Sequence, residues 1–240
     1  MPRFVRLVHL APVRPCGVNL LPILAATALL VAAAASHAQF GPSGTQGKDT
    51  SALHPPAGAR VAIVEFADLE CPACAKENPL LKAAAAQYKI PWVRHDFLIP
   101  GHVWSKDAAL NARWFDANKG KAVGDEYRDQ VFANQASIYS VIALRQFTEK
   151  FAQSHGAALP FAIDPQGKLI AGINADGDLG KRLGLNHTPT VYIVAVNGKG
   201  APVTEVEHPD EDLYRIIEQA LADTAAPASA KKSTKKTAGN

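Results

Sequence analysis

Apolar residues fall into short unbroken runs, helical stripes and one long block near the amino end, and each pattern predicts a different element. Arg60-Val-Ala-Ile-Val-Glu-Phe-Ala67 is a nearly continuous apolar run rich in β-branched residues, which predicts a strand buried on both faces. Trp92 to Ile99 and Thr190 to Val196 predict two more strands. Asn197-Gly198 opens a turn, and the alternation from Val203 to Glu207 predicts a partly exposed fourth strand. Pro72 suits the first position of a helix running to about Tyr88 and kinked by Pro79. Trp104 to about His155 has helical spacing, broken at Asn118-Lys-Gly-Lys121. Leu213, Ile216, Ile217, Ala220 and Leu221 form the stripe of a last helix, with Asp210 as its expected cap. Phe161 to Ile170 reads either as a hairpin around Asp-Pro-Gln-Gly or as a helix with Pro165 at its first position, and the helix is favoured. This order of elements predicts an α/β fold, a mixed sheet covered by helices.

The long apolar block, Ile23 to Ala35, follows Arg3, Arg6 and Arg14 and precedes Ser36-His37-Ala38. That is the pattern of a signal peptide over residues 1–38, cleaved after Ala38. An uncleaved anchor wants about twenty apolar residues, and Pro22 interrupts the extension. Cys16 belongs to the discarded part, and Arg14-Pro15 before it do not make a lipidation site. Residues 39–59, rich in Gly, Pro and Ser, predict a flexible leader, and residues 225–240 predict a disordered lysine-rich tail. Neither has the residues for a core. The folded part, 60–224, is therefore expected outside the cytoplasm, in the periplasm or cell envelope.

Charge narrows the partners. The whole chain carries a formal +3, but three arginines sit in the signal and four lysines in the tail, so the body between them is net acidic. Such a body has no electrostatic footprint for nucleic acid. Removing the signal also leaves only Cys71 and Cys74, where a structural framework in an exported protein usually shows four or more cysteines. A disulfide closing so short a loop removes little unfolded-state entropy, so reactivity explains the pair better than stability. A metal site would need two further ligands, and beside His95 and His102 there is no second closely spaced pair, so no metal and no cofactor are expected.

Cys71-Pro72-Ala73-Cys74 stands at the start of the expected helix. A thiol there faces free N–H groups and the positive end of the helix dipole, which stabilise its thiolate and make Cys71 the nucleophile. Cys74, one turn on and deeper, is placed to resolve a mixed disulfide.

Val64-Glu65-Phe66, the Cys-Pro-Ala-Cys pair, Pro79 within the helix and Thr188-Pro189 before a later strand together resemble the thioredoxin superfamily, with the closest likeness to its exported DsbA-like members. The resemblance covers about residues 60–222. It implies a thioredoxin-like fold, a mixed four- to five-stranded sheet flanked by helices, with an inserted helical domain at about 104–184. It implies that Pro189 is cis and faces the cysteines, and that the Thr188 backbone pairs with an extended substrate. It also implies that Glu65, six residues before Cys71, lies beneath the second cysteine as a proton acceptor, its pKa raised by burial.

Two features depart from the strongest oxidants of that family. Pro72-Ala73 supplies no histidine between the cysteines, and Glu70 opposes a thiolate if it lies close, so both push toward a less acidic thiol and a less oxidising disulfide. His187, two residues before Pro189, is a candidate to replace the missing histidine. His95 and the three tryptophans read as local polar satisfaction and packing.

The expected activity is an exported thiol:disulfide oxidoreductase that donates its Cys71–Cys74 disulfide to newly exported protein thiols and passes the electrons to a membrane redox partner, a quinone-linked oxidase. The alternatives are a reductase or isomerase fed by a membrane electron donor, a non-catalytic peptide-binding chaperone on the same fold, and a surface-binding protein acting through the lysine tail.

Overall fold

The computed structural model describes residues 48–196 and 202–225. The signal peptide, the first part of the leader, the Asn197-Gly198 turn and almost all of the lysine-rich tail lie outside the described residues.

Four strands, β1 (Val61–Ala67), β2 (Trp92–Asp96), β3 (Thr190–Ala195) and β4 (Val203–Glu205), form one sheet in the order β2-β1-β3-β4. β1 runs parallel to β2 and antiparallel to β3, which pairs antiparallel with β4. Among the described residues, six α-helices accompany them: α1 (Pro72–Tyr88), α2 (Ser105–Lys119), α3 (Lys121–Ala133), α4 (Val141–Ser154), α5 (Lys168–Arg182) and α6 (Pro209–Asp223). The helices α2 to α5 all fall between β2 and β3 in the chain.

Alternation along β1 explains the layers. Val61 and Ile63 pack with Leu81 and Ala84 of α1 and Leu213 and Ile217 of α6, whereas Ala62, Val64 and Phe66 pack on the opposite face with Leu183 and Leu185. Glu65 continues the row of Val61 and Ile63, so the pleat turns a carboxylate toward the helix that carries the cysteines. A third cluster fills the helical insertion around Phe115, Tyr127 and Phe151, and it extends to Leu69, Cys71 and Cys74. The redox pair thus lies where the sheet and the insertion meet.

Several boundaries differ from the expectation for identifiable reasons. β2 stops at Asp96 rather than Ile99, because Phe97 N–H still reaches Ala67 O at 2.9 Å but β1 ends there; Ile99 N–H turns instead to Asp68 Oδ2 at 2.8 Å. The ambiguous stretch holds helix α5, but it starts at Lys168, not at Pro165. Asp164-Pro-Gln-Gly is a turn before it, with Gly167 at φ 67° and the Asp164 carboxylate accepting from Ile170 N–H at 2.8 Å. Asp210 is not the cap of α6; His208 holds that position, and Asp210 lies in the first turn with Glu211 and Asp212, where the dipole favours acids. The end of the expected flexible leader is packed: Leu53 is buried against the α5 face, and Lys48 pairs with Glu205 at 2.7 Å. One leucine among prolines and glycines gave no periodic signal, yet it fills a gap in the sheet's second layer.

Candidate active site

Cys71 is the N-cap of α1, in extended conformation, and Pro72 at the first position has no N–H to leave unpaired. Cys71 is 7% exposed and Cys74 is fully buried, and both carry free thiols. The Cys71 pKa is lowered to about 5, first by the bond from the Cys74 thiol, then by the Thr188 side chain and the N–H groups of Cys74 and Ala73, against the opposing effect of burial. In the thiol form the Thr188 carbonyl oxygen accepts from Cys71 Sγ–H at 3.4 Å. The Thr188 hydroxyl is buried with no hydrogen-bond partner. The Cys74 thiol is pushed far up, first by burial and then by the sulfur it bonds. The two sulfurs are therefore chemically opposite: one ionised at neutral pH, the other protonated.

The acidity of Cys71 does not come from a histidine. His187 is exposed, its Nδ1 lies 3.0 Å from Asn186 Oδ1, and it is not among the groups acting most strongly on the sulfur. Glu70 does not oppose the thiolate either. Its Oε2 accepts from the N–H groups of Trp104 and Ser105 at 2.6 and 3.0 Å, so it caps α2 and its charge is spent there. Lys76, solvated, pairs with Asp210. The Glu70 reason for expecting a less acidic thiol is thus removed by where that side chain goes, and the bond from the Cys74 thiol, ahead of the backbone N–H groups, does the work that a side chain between the cysteines does not.

Glu65 is fully buried, and its pKa is raised to about 7 by that burial against the pull of Arg94 and a hydrogen bond from Trp92. Trp92 Nε1–H donates to Oε2 at 3.0 Å, while Oε1 has no partner. Arg94, paired with Glu65 across β1 and β2, stacks its guanidinium 3.6 Å from the Trp92 ring and bonds Asp129 at 2.7 Å and Asn78 at 2.9 Å. A charge on Glu65 acts on Cys74, and the mutual repulsion helps keep that thiol protonated. The Glu65 carboxyl, with one free oxygen and a pKa of about 7, is thus coupled by charge to the Cys74 thiol.

Thr188-Pro189 is a cis peptide bond, and Pro189 lies beside a cleft of about 280 Å³ shared with Glu77, His187, Glu205 and Glu207. Glu77 has its Oε2 sealed and unpartnered, and its pKa is raised to about 7 by burial and by the Asp210 carboxylate. The structure brings together Cys71, Cys74, Glu65, Thr188 and Pro189, and leaves His187 at the rim. Trp92, the hydroxyl of Thr188 and Glu77 were not legible as site residues. Only Trp92 had a signal, since a tryptophan on the strand beside a buried acid has one donor to offer. Among the described residues, no three His, Cys, Asp or Glu side chains gather in a way that holds a metal ion.

Comparison with known proteins decides the family. The model of the thioredoxin family matches residues 56–219, which span every strand and all six α-helices apart from the last turn of α6. The chain belongs to the thioredoxin family. No curated protein matches it. Among solved structures, its fold is similar to Pseudomonas aeruginosa DsbA2 at 18% identity, covering 74% of this chain and 95% of that one, with a TM-score of 0.53. It is similar to the thiol-disulfide exchange protein alpha-DsbA2 of Wolbachia pipientis at 17% identity, covering 69% and 84%, TM-score 0.53. It is similar as well to Proteus mirabilis ScsC at 18% identity, covering 70% and 71%, TM-score 0.55. The fold is thus thioredoxin-like, with four helices carried between β2 and β3.

Proposed function

We propose that this protein is an exported thiol:disulfide oxidoreductase that donates the Cys71–Cys74 disulfide to client thiols. The observation that carries the reading is the opposition between the two sulfurs, Cys71 lowered to about 5 and nearest the surface, Cys74 pushed far up and sealed. A client thiolate attacks Cys71 Sγ of the disulfide, the S–S bond breaks, and the leaving Cys74 sulfur takes a proton from the Glu65 carboxyl. A second client thiolate then attacks the client sulfur of the mixed disulfide and releases Cys71 as a stabilised thiolate. The client has lost two electrons and the protein has gained them. A membrane oxidase linked to quinone would return the protein to its disulfide form.

Stabilising the Cys71 thiolate stabilises the reduced protein, and that makes the disulfide a better oxidant. This favours the donor over the reductase or isomerase. Thr188 and Pro189 border the sulfur and suit an extended client chain pairing with the Thr188 backbone. Export is supported by the arginines, the apolar block and the Ser36-His37-Ala38 pattern. Among the described residues no helix is long and apolar enough to cross a membrane.

Trapping tests the reading. Cys74→Ala produced with its native amino terminus should accumulate mixed disulfides through Cys71 with envelope proteins, and Cys71→Ser should accumulate none. Equilibration with glutathione should give a disulfide more oxidising than glutathione itself; a strongly reducing potential would assign the reductase. A Cys71→Ser variant that keeps the full biological activity would make the protein a chaperone.

A further inference from the structure

The segment Asp68–Cys71 joins β1 to α1, yet most of its hydrogen bonds go to the helical insertion or to the 99–105 loop that leads into it. Asp68 accepts from Ser105 Oγ–H, Glu70 accepts from Trp104 and Ser105 N–H, and the backbone carbonyls of Leu69 and Cys71 both accept from one side chain. That side chain is Gln135, at the first position of a 3-10 turn (Gln135–Ser137) between α3 and α4. Its Nε2–H₂ reaches Leu69 O at 2.8 Å and Cys71 O at 3.0 Å. Both partners are acceptors, so only the amide nitrogen can face them, and two hydrogens on one planar group fix the relative direction of two carbonyls.

We propose that Gln135 is a positioning residue for the redox pair: by holding the Leu69 and Cys71 carbonyls, an amide of the insertion keeps the first turn of α1 aimed at Cys71 Sγ and so sets how readily that sulfur reacts. The inference rests on the reading of Cys71 as the nucleophile. The Cys71 carbonyl also accepts the first bond of α1, from Ala75 N–H at 3.2 Å. Gln135 therefore grips the helix at its first hydrogen bond, one residue before Pro72. Both carbonyl oxygens accept from a side chain of the insertion, while the Ala73 and Cys74 N–H groups act on the sulfur. Ile138, three residues on, is buried in the same cluster as Leu69 and Cys71, so the 3-10 turn is itself anchored. Without the amide, the Leu69 carbonyl loses its side-chain donor, the Cys71 carbonyl keeps only Ala75 N–H, and the N–H groups of the first turn are held less tightly on the sulfur.

Gln135→Met keeps the length of the side chain and removes the donors; Gln135→Glu keeps the shape and sets a carboxylate against two carbonyl oxygens. Thiolate absorbance of the reduced full-length protein is titrated for both, with the alkylation rate of Cys71 measured one pH unit below the wild-type midpoint. Gln135→Met should raise the midpoint by about 0.5 to 1 unit and slow alkylation about threefold to tenfold, and Gln135→Glu should do more. Tyr127→Phe is the comparison, because it loses the bond to Thr148 inside the insertion without touching residues 68–71, and it should leave the midpoint in place. A Gln135→Met midpoint equal to wild type, or a Tyr127→Phe shift as large, overturns the proposal. Wild-type Cys71 titrating as an ordinary thiol would be a separate failure, of the nucleophile itself, and is visible before any variant is made.

Discussion

Two carboxyl groups three residues apart, Glu65 and Asp68, are both fully buried at the same end of β1, and they could hardly be treated more differently. Asp68 is saturated. It accepts from Glu70 N–H at 2.8 Å, Ile99 N–H at 2.8 Å and Ser105 Oγ–H, and it contacts His102 Nδ1 at 2.9 Å. Glu65 has one donor, Trp92, and one oxygen with none. A buried carboxyl whose oxygens are all bonded ties segments together; one that is half bonded is costly to ionise, and burial raises the Glu65 pKa to about 7. Asp68 holds the redox turn to the 99–105 loop, and Glu65, with one oxygen unbonded, acts by charge on Cys74.

That contrast can be broken first at Asp68. Asp68→Ala removes the common acceptor of several buried donors and should destabilise the protein by about 3 to 5 kcal/mol, read by urea unfolding, at every pH where the wild type folds. A loss below 1 kcal/mol would mean that the turn does not depend on it.

Glu65→Gln should act in the opposite sense. The folded pKa of Glu65 lies above its ordinary value, so its protonated form is favoured in the fold; stability is complete below about 4.5 and falls as pH rises to about 7. The variant should be more stable than wild type above neutral pH by up to about 3 kcal/mol, with the gain gone below about pH 4.5. The same change should slow the release of Cys74 in single-turnover oxidation of a dithiol peptide. Equal stability of the two proteins across that range would show Glu65 to be an ordinary carboxylate.

Smaller effects sharpen the picture. Trp92→Phe takes away the Trp92 hydrogen bond that favours ionised Glu65, so the decline in stability should still begin near pH 4.5 but should end about half a unit to one unit above pH 7. Glu77 feels the charge of the Cys71 thiolate, so Cys71→Ser should move the Glu77 titration, followed by NMR of its side-chain carboxyl, down by a few tenths of a unit, roughly the effect of a partly screened charge. For Cys71 itself, lowered to about 5, the reduced protein should gain stability over the oxidised one as pH rises from about 5 to 9. Paired unfolding curves of the two redox forms check this.

The elements read from pattern were those whose signal is local. β1, α1 and β3 follow from apolar runs, a proline at a helix start and one buried stripe, and the Cys-x-x-Cys pair follows from where that helix begins. Glu65 stood out because an acid inside an apolar run needs a reason. By contrast, Glu70 was read as a neighbour in sequence and therefore as a charge beside the sulfur, but the insertion offers it a helix N-terminus and takes it away. His187 was read from its distance to Pro189 along the chain, and the loop leaves it in solvent. Gln135 had no signal at all, since a glutamine 64 residues from Cys71 is one polar residue among many until the fold brings it across.

From the order of residues alone came the helix start that activates a thiol, the pair of sulfurs one turn apart and the acid on the facing strand. These depend on backbone periodicity and on spacing within one or two elements, which a linear chain encodes directly. Which charges reach Cys71, which acid is saturated and which half free, and how the insertion grips the redox turn were decided only by long-range packing. Electrostatic and hydrogen-bond effects fall off within a few ångströms, and the groups that come that close are chosen by the tertiary structure rather than by their place in the chain.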